Sequence, residues 1–380
     1  MRFFHLSDLH IGKQLHHYNL KEDQKAILQQ VVDYARNLHP DAIIIAGDIY
    51  DKSVPSAEAV TIFDEFLTDL AEIQPVIPVL IISGNHDSAE RMNYAAEFLE
   101  KHKIYVVGNA PGAKDEWIKQ VELEDEWGKV HVYLLPFLKP SYVKPIFDET
   151  PESYTDAVKR LLEREEIDES ARNILVSHQF YTGNSTPETC DSETISVGGI
   201  DNVDVSVVEQ FDYVALGHLH GKQSVKSPHI RYPGTLLKYS VSEANHRKTL
   251  TQVTLGKKGE QPEISELPLS PLHDVKKKCG KLEELLDQKE VCEDYVSITL
   301  TDEVDPYRPK EQLERKYSRI LEIRVDNTRT RKKLAEFEEE IQIKEPFQAF
   351  EDFYKEMQGE TMSEEQVDYM KQIFAQAREE

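Results

Sequence analysis

Five apolar runs in the first 220 residues each stop at side chains that bind metals. RFFHL (2–6) is followed by Ser7, Asp8, Leu9 and His10; IIIAG (43–47) by Asp48; LIISG (80–84) by Asn85, His86 and Asp87; ILVS (174–177) by His178; and VALG (214–217) by His218, Leu219 and His220. One His or Asp in such a place reads as a cap or turn residue, but five such ends together read as a site. Asp8, Asp48 and Asn85 with His10, His178, His218 and His220 offer too many donors for one four-coordinate zinc and suit two ions of higher coordination number. Two metals about 3.5–4 Å apart are the usual clamp for in-line displacement at phosphorus. Asp48, alone at its strand end, is the best candidate to bridge them. Asp8 with His10 and His218 with His220 are i, i+2 pairs, which share a face of an extended segment. Oxygen and imidazole donors without a thiolate favour manganese or iron over copper, and four imidazoles serve magnesium poorly.

The elements that must position these groups are legible around them. Between the β-rich runs, Lys21 to Leu38 places Ile27, Val31, Val32 and Ala35 at helical spacing, and Ser56 to Leu70 does so with Val60, Phe63, Phe66 and Leu67. IYVVG (104–108) and KVHVYLLPF (129–137) are further strands. The alternation predicts an α/β fold, a sheet covered by helices, with ligands gathered at the carboxyl ends of the strands. Asp8 and His220, 212 residues apart in sequence, can then meet on one rim.

Composition sets the outer limits. At 380 residues, 30% charged and 39% hydrophobic, a disordered or collagenous chain is excluded. Lys and Arg number 45 against 70 Asp and Glu, a net charge of -25, so any nucleic-acid contact must be local rather than a bulk attraction. No apolar run has the length of a membrane span, and the first residues lack the basic-then-apolar pattern of an export signal, so a cytoplasmic chain is expected. Cys190, Cys279 and Cys292 are too few and scattered for a disulfide framework or a thiolate metal site. Residues 271–345 hold 16 of the basic side chains, against 26 in residues 1–270, a doubled density that fits a separate module meeting an anion.

Asp8-x-His10, Gly47-Asp48-x-x-Asp51, Gly84-Asn85-His86-Asp87, His178 after its strand, and Gly217-His218-x-His220 stand in an order that resembles the motif set of the calcineurin-like metallophosphoesterases. The SDLHIGK start (7–13), the GDIYD and SGNHDS spellings, the YPGTLLKYS stretch (232–240) and the attached second domain are similar to the SbcD-type nuclease subunits within that superfamily. The resemblance implies a two-sheet sandwich flanked by helices (1–268), a small α+β capping domain that contacts DNA (269–345) and a helical ATPase-binding tail (346–380). It implies that Asp8, His10, Asp48 and His220 hold one metal and Asp48, Asn85, His178 and His218 the second. His86 would be catalytic, stabilising the transition state or protonating the leaving 3′ oxygen, with Asp87 orienting it. Asp51 stays open between a turn and a supporting role. The implied activity is that of a DNA exonuclease and endonuclease using two divalent ions, foremost Mn2+, as a homodimer with an SbcC-type coiled-coil ATPase. A metallophosphoesterase acting on a small phosphodiester or a phosphoprotein is the alternative.

Beyond the boundary marked by Pro262, Pro268 and Pro271, a helix at Leu282 to Leu286 and strands at Tyr295 to Leu300 and Ile320 to Val325 are expected. Arg91, Lys276, Lys277, Lys278, Arg329, Arg331, Lys332 and Lys333 are the candidate DNA contacts. In the tail, Phe347, Phe350, Phe353 and Tyr354, then Met370 and Phe374 after a Ser363-x-x-Gln366 cap, lie on two amphipathic helices. So much aromatic surface in 35 residues is expected to seat on a partner. The segments Ser56 to Leu70 and Ser88 to His102 are both expected as helices, and their Phe63, Phe66, Leu67, Leu70, Tyr94, Phe98 and Leu99 are the expected apolar groups of a four-helix interface between two copies.

Overall fold

The computed structural model describes residues 1–183, 187–193, 201–332 and 346–379. Two six-stranded sheets form its centre. The first runs Glu263–Pro268, Thr249–Thr254, Arg2–Leu6, Ala42–Ala46, Val79–Ile82, Ile104–Val107, parallel from Arg2–Leu6 onward and antiparallel at the other edge. The second runs Gln223–Val225, Ser227–Tyr232, Tyr213–Gly217, Arg172–His178, Gly128–Leu135, Lys119–Asp125, with parallel pairing among its four inner strands.

Pleating explains why the inner strands read as unbroken apolar runs: Ala42–Ala46, Val79–Ile82, Arg172–His178 and Tyr213–Gly217 are buried on both faces. Ile44, Ala46, Leu80 and Ile82 belong to one apolar cluster with Val132, Leu134, Ile174, Val176 and Ala215 of the second sheet. Their alternates Ile43, Ile45, Val79 and Ile81 pack instead with Ile27, Val31, Ala59, Ile62, Phe63 and Phe66 of the helices Lys21–Leu38 and Ala57–Ala71. Each such side chain contributes about 1.5–3 kcal/mol of burial, so the register that levels the strand ends is firmly set. Buried polar links also join the sheets: the Tyr213 hydroxyl donates to His5 Nδ1 at 2.9 Å, His5 donates Nε2–H to the Leu216 carbonyl at 3.1 Å, and His178 donates Nδ1–H to the Ala46 carbonyl at 2.7 Å.

Two expectations are corrected here. Phe63, Phe66 and Leu70 lie in the core, while Val60, expected on the apolar face of its helix, is exposed. The segment expected as a helix after Ser88 is two short ones, Ala89–Met92 and Ala96–Glu100, because Ala95 between them is left-handed at φ 60°. That break leaves Tyr94 84% and Phe98 62% exposed, while Leu99 packs against the core.

Further on, Val275–Gly280, Cys292–Leu300 and Tyr317–Val325 form a three-stranded sheet with Cys292–Leu300 in the middle. Its first strand, holding Lys276 to Lys278, was not anticipated because its lysines obscure any alternation. The chain divides into two compact units, residues 1–278 with 289–298 and 314–322, and residues 279–288 with 299–313 and 323–380. In the second, helices Pro346–Gln358 and Glu364–Glu379 pair as a hairpin. Ser363 and Gln366 make the reciprocal cap that their spacing predicts, at 2.9 and 3.3 Å.

Candidate metal centre

The sheet register levels the motif-bearing strand ends. Gly217 pairs with His178 across the second sheet, and Ala46 pairs with Ile82 in the first. The chain then turns sharply: Asp8, His10, Asp48 and His218 all have positive φ, at 54°, 43°, 51° and 112°. Four strained non-glycine residues at one rim persist only where surrounding contacts hold them, the usual mark of a functional site. The preceding glycines supply room. A Cβ on Gly47 or Gly217 would overlap the His178 ring, and one on Gly84 would overlap the Asp48 carboxylate.

Ligand atoms of Asp8, His10 and His220 gather on one side, with His10 Nε2 and His220 Nε2 3.1 Å apart. On the other, Asn85 Oδ1 lies 3.2 Å from His178 Nε2 and 2.9 Å from His218 Nδ1. Asp48 stands between. Its Oδ1 accepts the backbone N–H of His86 at 2.8 Å, and its Oδ2 lies 3.7 Å from His10 Nε2 and 3.4 Å from His178 Nε2. The seven candidate ligands thus gather at one rim, where Asp8 also comes within reach of Asp48 and His178, and His86 within reach of His10 and Asp48.

The electrostatics describe a cavity built for positive charge. Burial pushes the His10 and His218 imidazoles down, His218 to about 3, so both keep bare nitrogen lone pairs. Burial and the neighbouring Asp48 charge raise Asp87 to about 6. For His178 burial works downward, but the Asp48 carboxylate, then Asp8 and the Ala46 carbonyl, reverse it to about 9. Asp48 moves the opposite way, held below the carboxylate range by His178 and His10 against the effect of burial.

His86 is placed differently from the expected Asp87-oriented residue. It donates Nδ1–H to the Asp51 carbonyl at 3.0 Å, which leaves Nε2 uncommitted by that bond, and the His86 and His10 ring centres lie 4.9 Å apart. The Asp87 carboxylate instead accepts backbone N–H groups of Ile49, Tyr50 and Gly84 at 2.9–3.1 Å, stapling the Asp48 turn to the Asn85 turn. Its short side chain is committed to those three amides. Asp51 also receives Lys13 Nζ at 2.8 Å. Residues outside the motifs brace the same loops: Gln24 donates to the His10 carbonyl and accepts from Gly12, and the Tyr239 hydroxyl donates to the Leu9 carbonyl. Nothing in the spacing of Gln24 marked it; Tyr239 lay in the YPGTLLKYS stretch without a role.

The family model for calcineurin-like phosphoesterases matches residues 1–222, and one described as the type 5 capsule protein repressor C-terminal domain matches residues 268–358. The SbcD subunit of the nuclease SbcCD from Staphylococcus epidermidis is 32% identical over 385 residues, spanning 99% of this chain and 98% of that protein. The chain belongs to the SbcD family of calcineurin-like phosphoesterases. Among solved structures, GAP50 of Plasmodium overlays with TM-score 0.39 at 12% identity, covering 71% of this chain and 89% of that one. A dimetal phosphatase from Danio rerio gives TM-score 0.39 at 13% identity, covering 70% and 96%.

Calcineurin-like phosphoesterases act with divalent metals, and the rim of this SbcD-family chain fits them. Two imidazole nitrogens face each other at 3.1 Å, and the buried His10 Nδ1 has no hydrogen-bond partner among the described residues. An open cleft of about 920 Å³ reaches Asn85 and His218; Asp87, Glu90, Glu116, Asp201 and Lys139 lie in its wall. Of the candidate DNA contacts, Arg91 is exposed, Lys276 pairs with Asp294, Arg329 with Asp305 and Arg331 with Asp326. Lys277 and Lys278 have no ion-pair partner among the described residues, Lys332 is engaged within the chain, and Lys333 lies outside the described residues. No helix among the described residues is long and apolar enough to cross a membrane.

Proposed function

We propose that this chain is a DNA nuclease that hydrolyses phosphodiester bonds with two divalent cations, manganese foremost, as the catalytic subunit beside an SbcC-type ATPase in DNA repair and recombination. The observation that carries this is the position of Asp48 Oδ2 between two His-rich clusters, in a chain 32% identical over nearly its whole length to a nuclease subunit. Asp8, His10, Asp48 and His220 would hold one ion and Asp48, Asn85, His178 and His218 the other. When bound, such ions polarise the phosphodiester and activate water for in-line attack. The chain's own part is positional: glycine-backed turns fix the ligands, and His86, its Nδ1–H committed to Asp51, is left to give or take a proton at Nε2.

A second copy is proposed through the exposed groups of the 56–70 and 88–102 segments, Val60, Tyr94 and Phe98. The ion pairs at Lys276, Arg329 and Arg331 lie at the surface, where water screens them, and can be exchanged for DNA phosphates. The acidic wall of the cleft beside Asn85 and His218 favours the second reading, a small phosphodiester substrate, because it would repel a polyanion. Full-length protein given Mn2+ with linear duplex, hairpin DNA or bis(p-nitrophenyl) phosphate separates the two. Chelator-sensitive cleavage of DNA is expected; hydrolysis of the small ester with no cleavage of any DNA would establish the alternative.

A further inference from the structure

His220 is held from behind by residues that no motif contains. Ser192 Oγ lies 2.6 Å from His220 Nδ1 and 2.7 Å from Glu243 Oε1. A carboxylate has no proton to offer, so the single hydroxyl proton goes to Glu243, and the hydroxyl oxygen accepts Nδ1–H from His220. That fixes the tautomer: the bare nitrogen of His220 is Nε2, the one that faces His10. Glu243 is fully buried and is itself pinned by Lys248 Nζ at 2.6 Å, Ser240 Oγ at 3.0 Å and the Tyr239 amide at 3.2 Å. The neighbouring Glu193 accepts the His220 backbone N–H at 2.5 Å, so one short loop grips both the ring and the backbone of this residue.

Cys190, Glu243 and His246 also bring ligand atoms together, but they do not make a separate cation site. Lys248 places its ammonium against the Glu243 carboxylate, and burial with the charge of Glu193 pushes the Cys190 thiol up to about 12, keeping it protonated. The carboxylate points its chemistry toward His220 instead.

We propose that Glu243 is a positioning residue of the metal centre, acting through the Ser192 hydroxyl to hold His220 in the one tautomer and ring orientation that presents Nε2 to a cation. The inference rests on the two-cation reading of the site. Outer partners of this kind are worth about 10–100-fold in metal affinity. Ser192 is the residue to change, because its loop side chain can lose a hydroxyl without stranding the buried Glu243–Lys248 pair.

The test is calorimetric titration of Mn2+ into the metal-stripped full-length chain, comparing wild type with Ser192→Ala, Ser192→Thr and His220→Ala. In Ser192→Ala one of the two binding events is expected to weaken by about 10–100-fold while the other, and the thermal midpoint of the metal-free protein, stay put. Ser192→Thr, which keeps the hydroxyl, is expected to restore wild-type binding. Two unchanged events in Ser192→Ala, with one event lost in His220→Ala, would overturn the positioning role alone. A wild-type chain that takes up no Mn2+ would overturn the two-cation reading and this inference with it.

Discussion

The backbone N–H of His86 occupies Asp48 Oδ1 at 2.8 Å, so the carboxylate turns its other oxygen, Oδ2, to both His10 and His178. An oxygen so shared is what a bridging ligand requires. Asp48→Ala is therefore expected to abolish hydrolysis and reduce bound metal from two ions to one or none, read by elemental analysis. The fold should survive, since Ala42–Ala46 supplies the core burial and the carboxylate only the rim; an unchanged far-ultraviolet circular dichroism spectrum checks this. Two ions retained in Asp48→Ala would remove the bridge from the account.

His86→Gln separates binding from chemistry. Its Nδ1 is spent on the Asp51 carbonyl, so only Nε2 can serve the reaction. A loss of about 10²–10⁴ in kcat is expected, the usual worth of a positioned acid or base, with both ions still bound. Lost metal would instead make His86 a ligand, an arrangement that its grouping with His10 and Asp48 also allows.

What the sequence made legible follows from where its constraints lie. The inner strands are buried on both faces, so Ile43 to Ala46 and Leu175 to Ser177 announce themselves as apolar runs, and the ligands stand directly after them. Gln24, Ser192 and Glu243 could not be read this way. Each acts through hydrogen bonds to segments that only the fold brings beside it, and a buried Glu in VSEANHRK has the same spelling as an exposed one. The break at Ala95 was equally hidden, because its left-handed φ carries no glycine to mark it.

Acid should destabilise the metal-free protein through His5. Burial lowers its folded pKa to about 3, whereas the unfolded chain takes up a proton near 6.5. Between those values the unfolded state binds more protons, so stability is complete above pH 6.5 and falls as pH drops toward 3, by up to about 1.4 kcal/mol per pH unit. Urea unfolding at stepped pH, with chelator present, measures the slope. His5→Gln is expected to be less stable at pH 7, because Tyr213 and Leu216 lose well-made hydrogen bonds, and to shed about one proton from the slope below pH 6.5. An unaltered slope would exclude His5 as the titrating group.

The C-terminal hairpin satisfies only part of its aromatic surface. Phe347 and Phe350 meet Phe374 with ring centres 5.9 and 5.8 Å apart, so these three expected partner contacts pack against one another within the hairpin. Phe353, Met357, Tyr369 and Ile373 remain exposed. Phe353 with Met357 and Tyr369 with Ile373 are i, i+4 pairs, so each helix presents a short apolar stripe of the kind that lies in a partner's groove. We therefore expect Phe353→Glu with Tyr369→Glu to abolish capture of an SbcC-type ATPase in co-elution, while Mn2+-dependent cleavage of simple DNA by the isolated chain persists. Phe374→Ala should act differently: it loosens the hairpin itself, lowering helical content in circular dichroism as well as capture. Truncation after Glu345 should reproduce the first variant's loss of capture with nuclease activity intact. Wild-type co-elution of the truncated chain would place the ATPase contact elsewhere, and co-elution lost only in Phe374→Ala would mean that the hairpin's shape, rather than its exposed stripes, is what the partner reads.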